Sequence, residues 1–222
     1  MAPATSGTRA AGRPTRMPRS ARRSQLLAAA QDVFVAQGYH AAAMDDIADR
    51  AGVSKPVLYQ HFPGKLELYL ALLEQHTEAL VEAVRGALES THDNKQRVSA
   101  TMEAYFAFVD DDAGGFRLVF ESDLTNERAV RDRVDRATQR CAELVSRVIA
   151  EDTGLRGEES MLLAVGLVGM ASVTARYWLA TAGSIPRSAA AELVATLSWR
   201  GIRGFPRKDE AHADGGGRPG LG

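Results

Sequence analysis

Apolar residues recur every three to four positions over most of the chain, and the strict alternation of a half-buried strand is almost absent. The sequence therefore predicts an all-α protein. A first helix over 19–37 puts Leu26, Leu27, Ala30, Val33 and Phe34 on one face, and Gly38 stops it. Two short helices follow, over 44–51 and 54–61, and Pro63-Gly64 ends the pair. A long helix begins near Lys65 and runs to about Ser90, with Leu66, Tyr69, Leu70, Leu73, Leu80 and Val84 as its apolar positions. Further helices are predicted over 95–110, 116–122, 127–151, 158–181 and 187–202, punctuated by Asp93, the run DDDAGG, Thr153-Gly154 and the triplet SIP at 184–186. Residues 1–18 and 206–222 lack apolar periodicity and read as a disordered basic arm and a disordered tail. The pattern breaks near residue 65. It separates a three-helix head over 19–65 from a helical body over 66–205.

With 222 residues, 45% of them hydrophobic, the chain can bury a sizeable core. Cys141 is the single cysteine, which excludes an intrachain disulfide and fits a reducing compartment; the expectation is a cytoplasmic protein. The first 23 residues hold no apolar run of signal-peptide length, and the most apolar stretch, MLLAVGLVGMASV, falls short of the roughly 20 residues that span a bilayer, so no membrane partner is expected. Charge is uneven along the chain. Residues 1–65 hold nine Lys or Arg against Asp32, Asp45, Asp46 and Asp49, while the remaining 157 residues carry 18 bases and 24 acids. A basic head on an acidic body suggests that one end meets a polyanion.

The stretch AGVSKPVLYQHFPGK at 51–65 explains which end. Ala48 and Gly52 let two short helices approach, while Ile47, Ala51, Val53, Leu58 and Phe62 supply the faces that lock their crossing. Ser54 can cap the second helix, and Pro56 is harmless in a first turn, where its missing N–H would have no partner. The outer side of that helix presents Lys55, Pro56, Val57, Tyr59, Gln60 and His61. Gln can pair bidentately with adenine, Lys can donate to guanine or phosphate, and the Pro and Val carbons can touch a thymine methyl. Tyr59 and His61 can donate to phosphate oxygens, and Lys65 stands at a helix start that attracts the same anion. The arginines of the arm, Arg9, Arg13, Arg16 and Arg19, can follow a minor groove or serve a solvated end.

The segment from about Arg22 to Leu72 resembles the DNA-binding domain of the TetR family of bacterial transcriptional regulators, through LLAAAQDVFVAQGYH and then IADRAGVSKPVLYQHFPGK. The resemblance implies a homodimer on a two-fold DNA operator, and a C-terminal helical domain that dimerises and often binds a small apolar effector. Many members carry Thr or Ser where this chain has Ala42 and Ala43. A phosphate contact and a helix cap of about 1 kcal/mol are missing there, which makes Ala43 a weaker DNA-contact candidate than Tyr59 or Lys65. Asp45 and Asp46 partly compensate through the helix dipole. The stretches GFRLVFESD and AVGLVGMASVTARYWL extend the likeness to an actinobacterial subgroup of fatty-acid synthase gene regulators. For that subgroup the implied effector is long-chain acyl-CoA, with no cofactor.

In the body, the helix over 158–181 carries two stripes. Leu162, Gly166, Gly169 and Val173 form a small-residue face, which, with Ala190, Leu193, Val194 and Leu197 of the last helix, reads as a dimer interface or as intrachain core. Leu167, Met170, Thr174 and Trp178, with Leu163, form a bulkier face directed at Tyr105, Phe106, Val109, Phe116, Phe120, Thr138 and Cys141. Periodicity alone leaves that lining open between solid core and apolar pocket, and the resemblance favours a pocket. An enzyme is the rival from another class. No glycine-rich phosphate loop or Ser-His-Asp spacing is present, and His40, His61, His76, His92 and His212 are scattered without metal-site spacing. A sequence-blind chromosome-binding protein is the other rival, and the acidic body argues against it.

Overall fold

The computed structural model describes residues 17–110, 114, 124, 127–181 and 184–202. The arm residue Arg16, the helix predicted over 116–122 with Phe116 and Phe120, and the tail lie outside the described residues. Among the described residues there are eight helices and no strand. They are α1 (Arg19–Ala41), α2 (Met44–Ala51), α3 (Lys55–His61), α4 (Lys65–Glu89), α5 (Asn94–Val109), α6 (Arg128–Thr153), α7 (Gly157–Ala180) and α8 (Arg187–Ile202).

The apolar stripe of α1 becomes the centre of the head, with Leu26 and Ala30 fully buried and Phe34 nearly so. Gly38 interrupts the helix with φ 76° and ψ 165°, a conformation open to glycine. The corner between α2 and α3 also depends on a left-handed glycine. Gly52, at φ 65°, donates its N–H to Asp49 and lets the Val53 N–H reach the Ala48 carbonyl, both at 3.0 Å. α3 is only seven residues long and would not persist alone. Leu58 inside it and Phe62 just after it fix it to the head by burial.

α4 spans about 38 Å at 1.5 Å per residue. It belongs to two cores. Its first half places Leu68, Tyr69, Leu72 and Leu73 in the head cluster, and its second half places Leu80, Val81, Val84 and Leu88 in the body cluster. The boundary expected at residue 65 thus falls at the start of a helix shared by both. Leu124 and Val130, from beyond α5, also join the head cluster. Gly114, at φ 74°, packs so closely that a Cβ there would stand 2.7 Å from Val35 Cγ2. A hydrogen bond of 3.1 Å between His76 of α4 and Gln31 of α1 adds a polar tie between head and body.

Around the second half of α4, the body assembles from α5, α6, α7 and α8. α7 lies mainly against α6, and α5 against α8. Asp93 caps α5 by accepting from the Gln96 N–H at 2.8 Å, and the Ser146 and Ser160 hydroxyls pair at 2.9 Å where α6 meets α7. α7 is long and apolar enough, by length and composition, to cross a membrane, which differs from the expectation drawn from its 161–173 portion. The difference comes from its flanks, which extend the helix to 24 residues. Its buried alanine stripe against α6 gives it the packing of a core helix.

Candidate nucleic-acid interface, dimer face and effector region

The helix-turn-helix holds α3 from one side and presents the other. Leu58 is fully buried, whereas Lys55, Pro56, Tyr59 and Gln60 are exposed and Val57 and His61 are half-exposed. An exposed aromatic next to an exposed amide, on a helix anchored by its opposite face, has the form of a groove-reading surface. Ser54 makes no side-chain cap, contrary to the expectation, because its exposed hydroxyl is not turned onto the helix start. Its backbone carbonyl accepts from the Val57 and Leu58 N–H groups instead. Ala43, at the start of α2, is also exposed, and the Asp46 carboxylate reaches back to its N–H at 3.4 Å. That supplies part of the missing cap.

Two cations expected at the interface are engaged within the chain. The Lys55 ammonium lies 2.6 Å from the Asp45 carboxylate, which raises the Lys55 pKa above its usual value. Both groups are exposed, so the pair is weak and a phosphate can compete for the lysine. Lys65 is held more firmly: its ammonium donates to the carbonyls of Tyr39 and Ala42, each at 2.8 Å, and stands 4.6 Å from the centre of the Tyr39 ring. Arg19 is exposed at the start of α1.

In the body, Tyr105, Phe106, Val109, Cys141 and Trp178 are buried in one cluster. The Phe106 and Trp178 rings stand 5.8 Å apart, and Trp178 Nε1 donates to the Ile185 carbonyl at 2.8 Å. Burial pushes the Tyr105 hydroxyl up to about 12, with a hydrogen bond to Ser172 acting the other way, and pushes the Cys141 thiol up to about 11. Thr138 is not part of this group. It is exposed, and its hydroxyl bonds the Val134 carbonyl of its own helix, because α6 turns Ala137, Cys141 and Leu144 inward.

The inward stripe of α7 is displaced by one position from the expected one. Ala164, Val168, Ala171, Ala175 and Trp178 are buried, while Leu167, Met170 and Thr174 flank them, half-buried. The alanines sit at the centre because they allow close approach to α6, a preference that a search for bulky residues misses. The opposite face is open. Leu162, Val173, Leu193 and Leu197 are 74%, 57%, 64% and 60% exposed, and Val165 and Tyr177, which the sequence reading did not single out, join them. A Cβ added at Gly166 or Gly169 would meet nothing within 4 Å, so packing within the chain does not require these glycines. Ala190 and Val194 differ from the expectation. α8 turns Ala190 into the chain's own core and leaves Val194 half-buried beside it.

Residues 26–72 match the bacterial regulatory proteins of the tetR family, and residues 94–201 match the tetracyclin repressor-like C-terminal domain. The chain is 50% identical over 194 residues to the HTH-type transcriptional activator FasR of Mycolicibacterium smegmatis, covering 87% of this chain and 89% of that one. A TetR-like regulator from Rhodococcus sp. RHA1 has a similar solved structure, with a TM-score of 0.68 at 30% identity, covering 85% of this chain and all of that one. The fold is shared with FadR of Bacillus subtilis, solved in complex with stearoyl-CoA, at a TM-score of 0.66 and 18% identity, with 79% and 96% of the two chains covered. Two successive matches to head and body, and a relative half identical through both, leave one assignment: the chain belongs to the TetR family of bacterial transcriptional regulators and is a helix-turn-helix protein, not an enzyme.

Proposed function

We propose that this regulator binds a two-fold symmetric operator as a homodimer, and that a long-chain acyl-CoA held in the body controls that binding. The observation that carries the reading is the reach of the 50% identity to a fatty-acid synthase type of regulator: it runs over 87% of the chain, through the body as well as the head. A shared head alone would support DNA binding and nothing about a ligand.

Within this reading, Gln60, Lys55, Pro56 and Val57 meet base edges, while Tyr59 and His61 meet phosphates. The exposed face of Leu162, Val173, Leu193 and Leu197 pairs with its copy in a second protomer, as apolar side chains left in solvent at helix spacing would. The buried cluster around Phe106, Cys141 and Trp178 supplies apolar chemistry suited to an acyl chain.

Enrichment of duplexes from a random pool tests the reading. The wild type is expected to enrich a palindrome. Gln60→Ala should then lose preference at one or two base pairs per half-site, by roughly 1–3 kcal/mol, and Tyr59→Phe should weaken all sequences alike. Binding to random duplex with no enriched sequence would instead favour a chromosome-coating protein.

A further inference from the structure

The apolar stripe of α1 does not end where the core ends. Counting back from Leu26 and Leu27 by three and four positions gives Arg22, Arg23 and Arg19, so the face that packs into the head continues outward as three guanidinium groups. Arg23 lies 4.4 Å over the ring of Phe62, the residue that follows α3. Arg22 donates to Gln25 at 2.7 Å, and Gln25 in turn donates to the Ala51 carbonyl at the end of α2, also at 2.7 Å. The three arginines are thereby held beside the C-terminal end of α3, where His61 stands. All three act on the His61 ring, and they are the charged groups that do so.

Charge pairing separates this group from the other cations of the head. Arg50 lies 2.6 Å from Asp32, and Lys55 lies 2.6 Å from Asp45. No carboxylate partners Arg19, Arg22 or Arg23 among the described residues. Three like charges assembled on one face without a counter-ion repel one another, and they persist at low cost only where an anion joins them.

We propose that Arg19, Arg22 and Arg23 of α1 form, together with His61, a second surface for the DNA phosphate backbone beside the recognition helix. The proposal rests on the reading of α3 as that helix. The ridge supplies affinity and fixes orientation but reads no sequence. It also links binding to protons. Burial and the three arginines hold His61 below its ordinary pKa in the free protein. A phosphate placed among the arginines cancels their field and favours the imidazolium, so the bound pKa is higher than the free one. Binding therefore takes up a proton between the two values. The gain is complete below the free pKa and is lost as pH rises through the bound pKa.

The test uses the full-length protein and the duplex that it enriches from a random pool, with affinity read as a function of salt. R19Q/R22Q is expected to lower the slope of log K against log salt by about 1.8, at about 0.9 per phosphate contact, without changing sequence preference. R19K/R22K should keep the slope, and K95Q in the body should leave it unchanged. Thermal unfolding confirms that each variant folds; should the Gln pair fail to fold, R22Q alone should lower the slope by about 0.9. Wild-type affinity should fall as pH rises, and H61Q should flatten that dependence. A wild-type slope in a folded Gln variant would overturn the ridge, and an undiminished pH dependence in H61Q would remove His61 from it. Failure of the wild type to enrich any sequence would overturn the recognition-helix reading, and the ridge with it.

Discussion

The ammonium of Lys65 donates to the carbonyl of Tyr39 at 2.8 Å and lies against the ring of the same residue. With the Ala42 carbonyl as a further acceptor, one side chain ties the start of α4 to the corner between α1 and α2. A group so engaged acts by position. The consequence is measurable, because a positioning lysine and a phosphate-binding lysine respond differently to salt.

We expect Lys65→Met to lower stability by about 1–2 kcal/mol, the range for a half-buried charged donor that loses its acceptors, or several degrees in melting temperature. Operator affinity should weaken with the slope of log K against log salt unchanged. A slope reduced by about 0.9, at wild-type stability, would instead make Lys65 a phosphate contact.

The contrast shows what the sequence could and could not say. A lysine at a helix start beside a recognition helix has the chemistry of a phosphate ligand, and only three dimensions show carbonyls from residues 39–42 gathered around it. Elements written in strong periodicity or glycine punctuation were legible: α1 to its break at Gly38, α2, and the start of α4 agree with the structure within a residue. The inward face of α7 was not, because its centre is alanine, and alanine gives little weight to an apolar stripe while permitting the closest packing. Thr138 was misplaced for a related reason. One step along α6 rotates a side chain by about 100°, enough to carry it from core to solvent.

The glycines of α7 give a clean test of the dimer face. Gly166→Leu adds a side chain where no atom of the same chain lies within 4 Å, and it replaces a poor helix former with a good one. The single chain should fold with equal or greater thermal stability. Its self-association should nevertheless weaken by at least tenfold in sedimentation, because the added side chain would hold the facing helix away. A folded Gly166→Leu protein with unchanged dimerisation would place the interface elsewhere.

Alkaline titration should report the body's core. Tyr105 has a folded pKa of about 12 against an ordinary 10, so its protonated form is favoured by folding. The stabilisation is fully present below pH 10 and is lost as pH rises from 10 towards 12. Cys141, raised to about 11 and 2% exposed, should react slowly with thiol reagents at pH 8 until the body opens. We expect Tyr105→Phe to reduce the fall in stability between pH 10 and 12, and rapid labelling of Cys141 in the native protein would show that the cluster is open to solvent.

The effector reading depends on chain length. Each buried methylene contributes up to about 0.8 kcal/mol, so oleoyl-CoA should bind far more tightly than acetyl-CoA if the acyl chain enters the region lined by Phe106, Leu167 and Trp178. Binding alone does not regulate. The ligand changes operator affinity only by its differential affinity for head spacings that fit, or do not fit, grooves about 34–36 Å apart. α4, shared between the two cores, is the element whose tilt would alter that spacing. We expect titration against a labelled operator to show a large change with oleoyl-CoA, a much smaller one with acetyl-CoA, and loss of the oleoyl response in Leu167→Trp, where added volume fills the half-buried flank of α7. Operator binding by Leu167→Trp without ligand would show that the head is intact. Equal responses to both chain lengths, or an unaltered oleoyl response in that variant, would remove the acyl chain from this region and leave the DNA-binding reading standing.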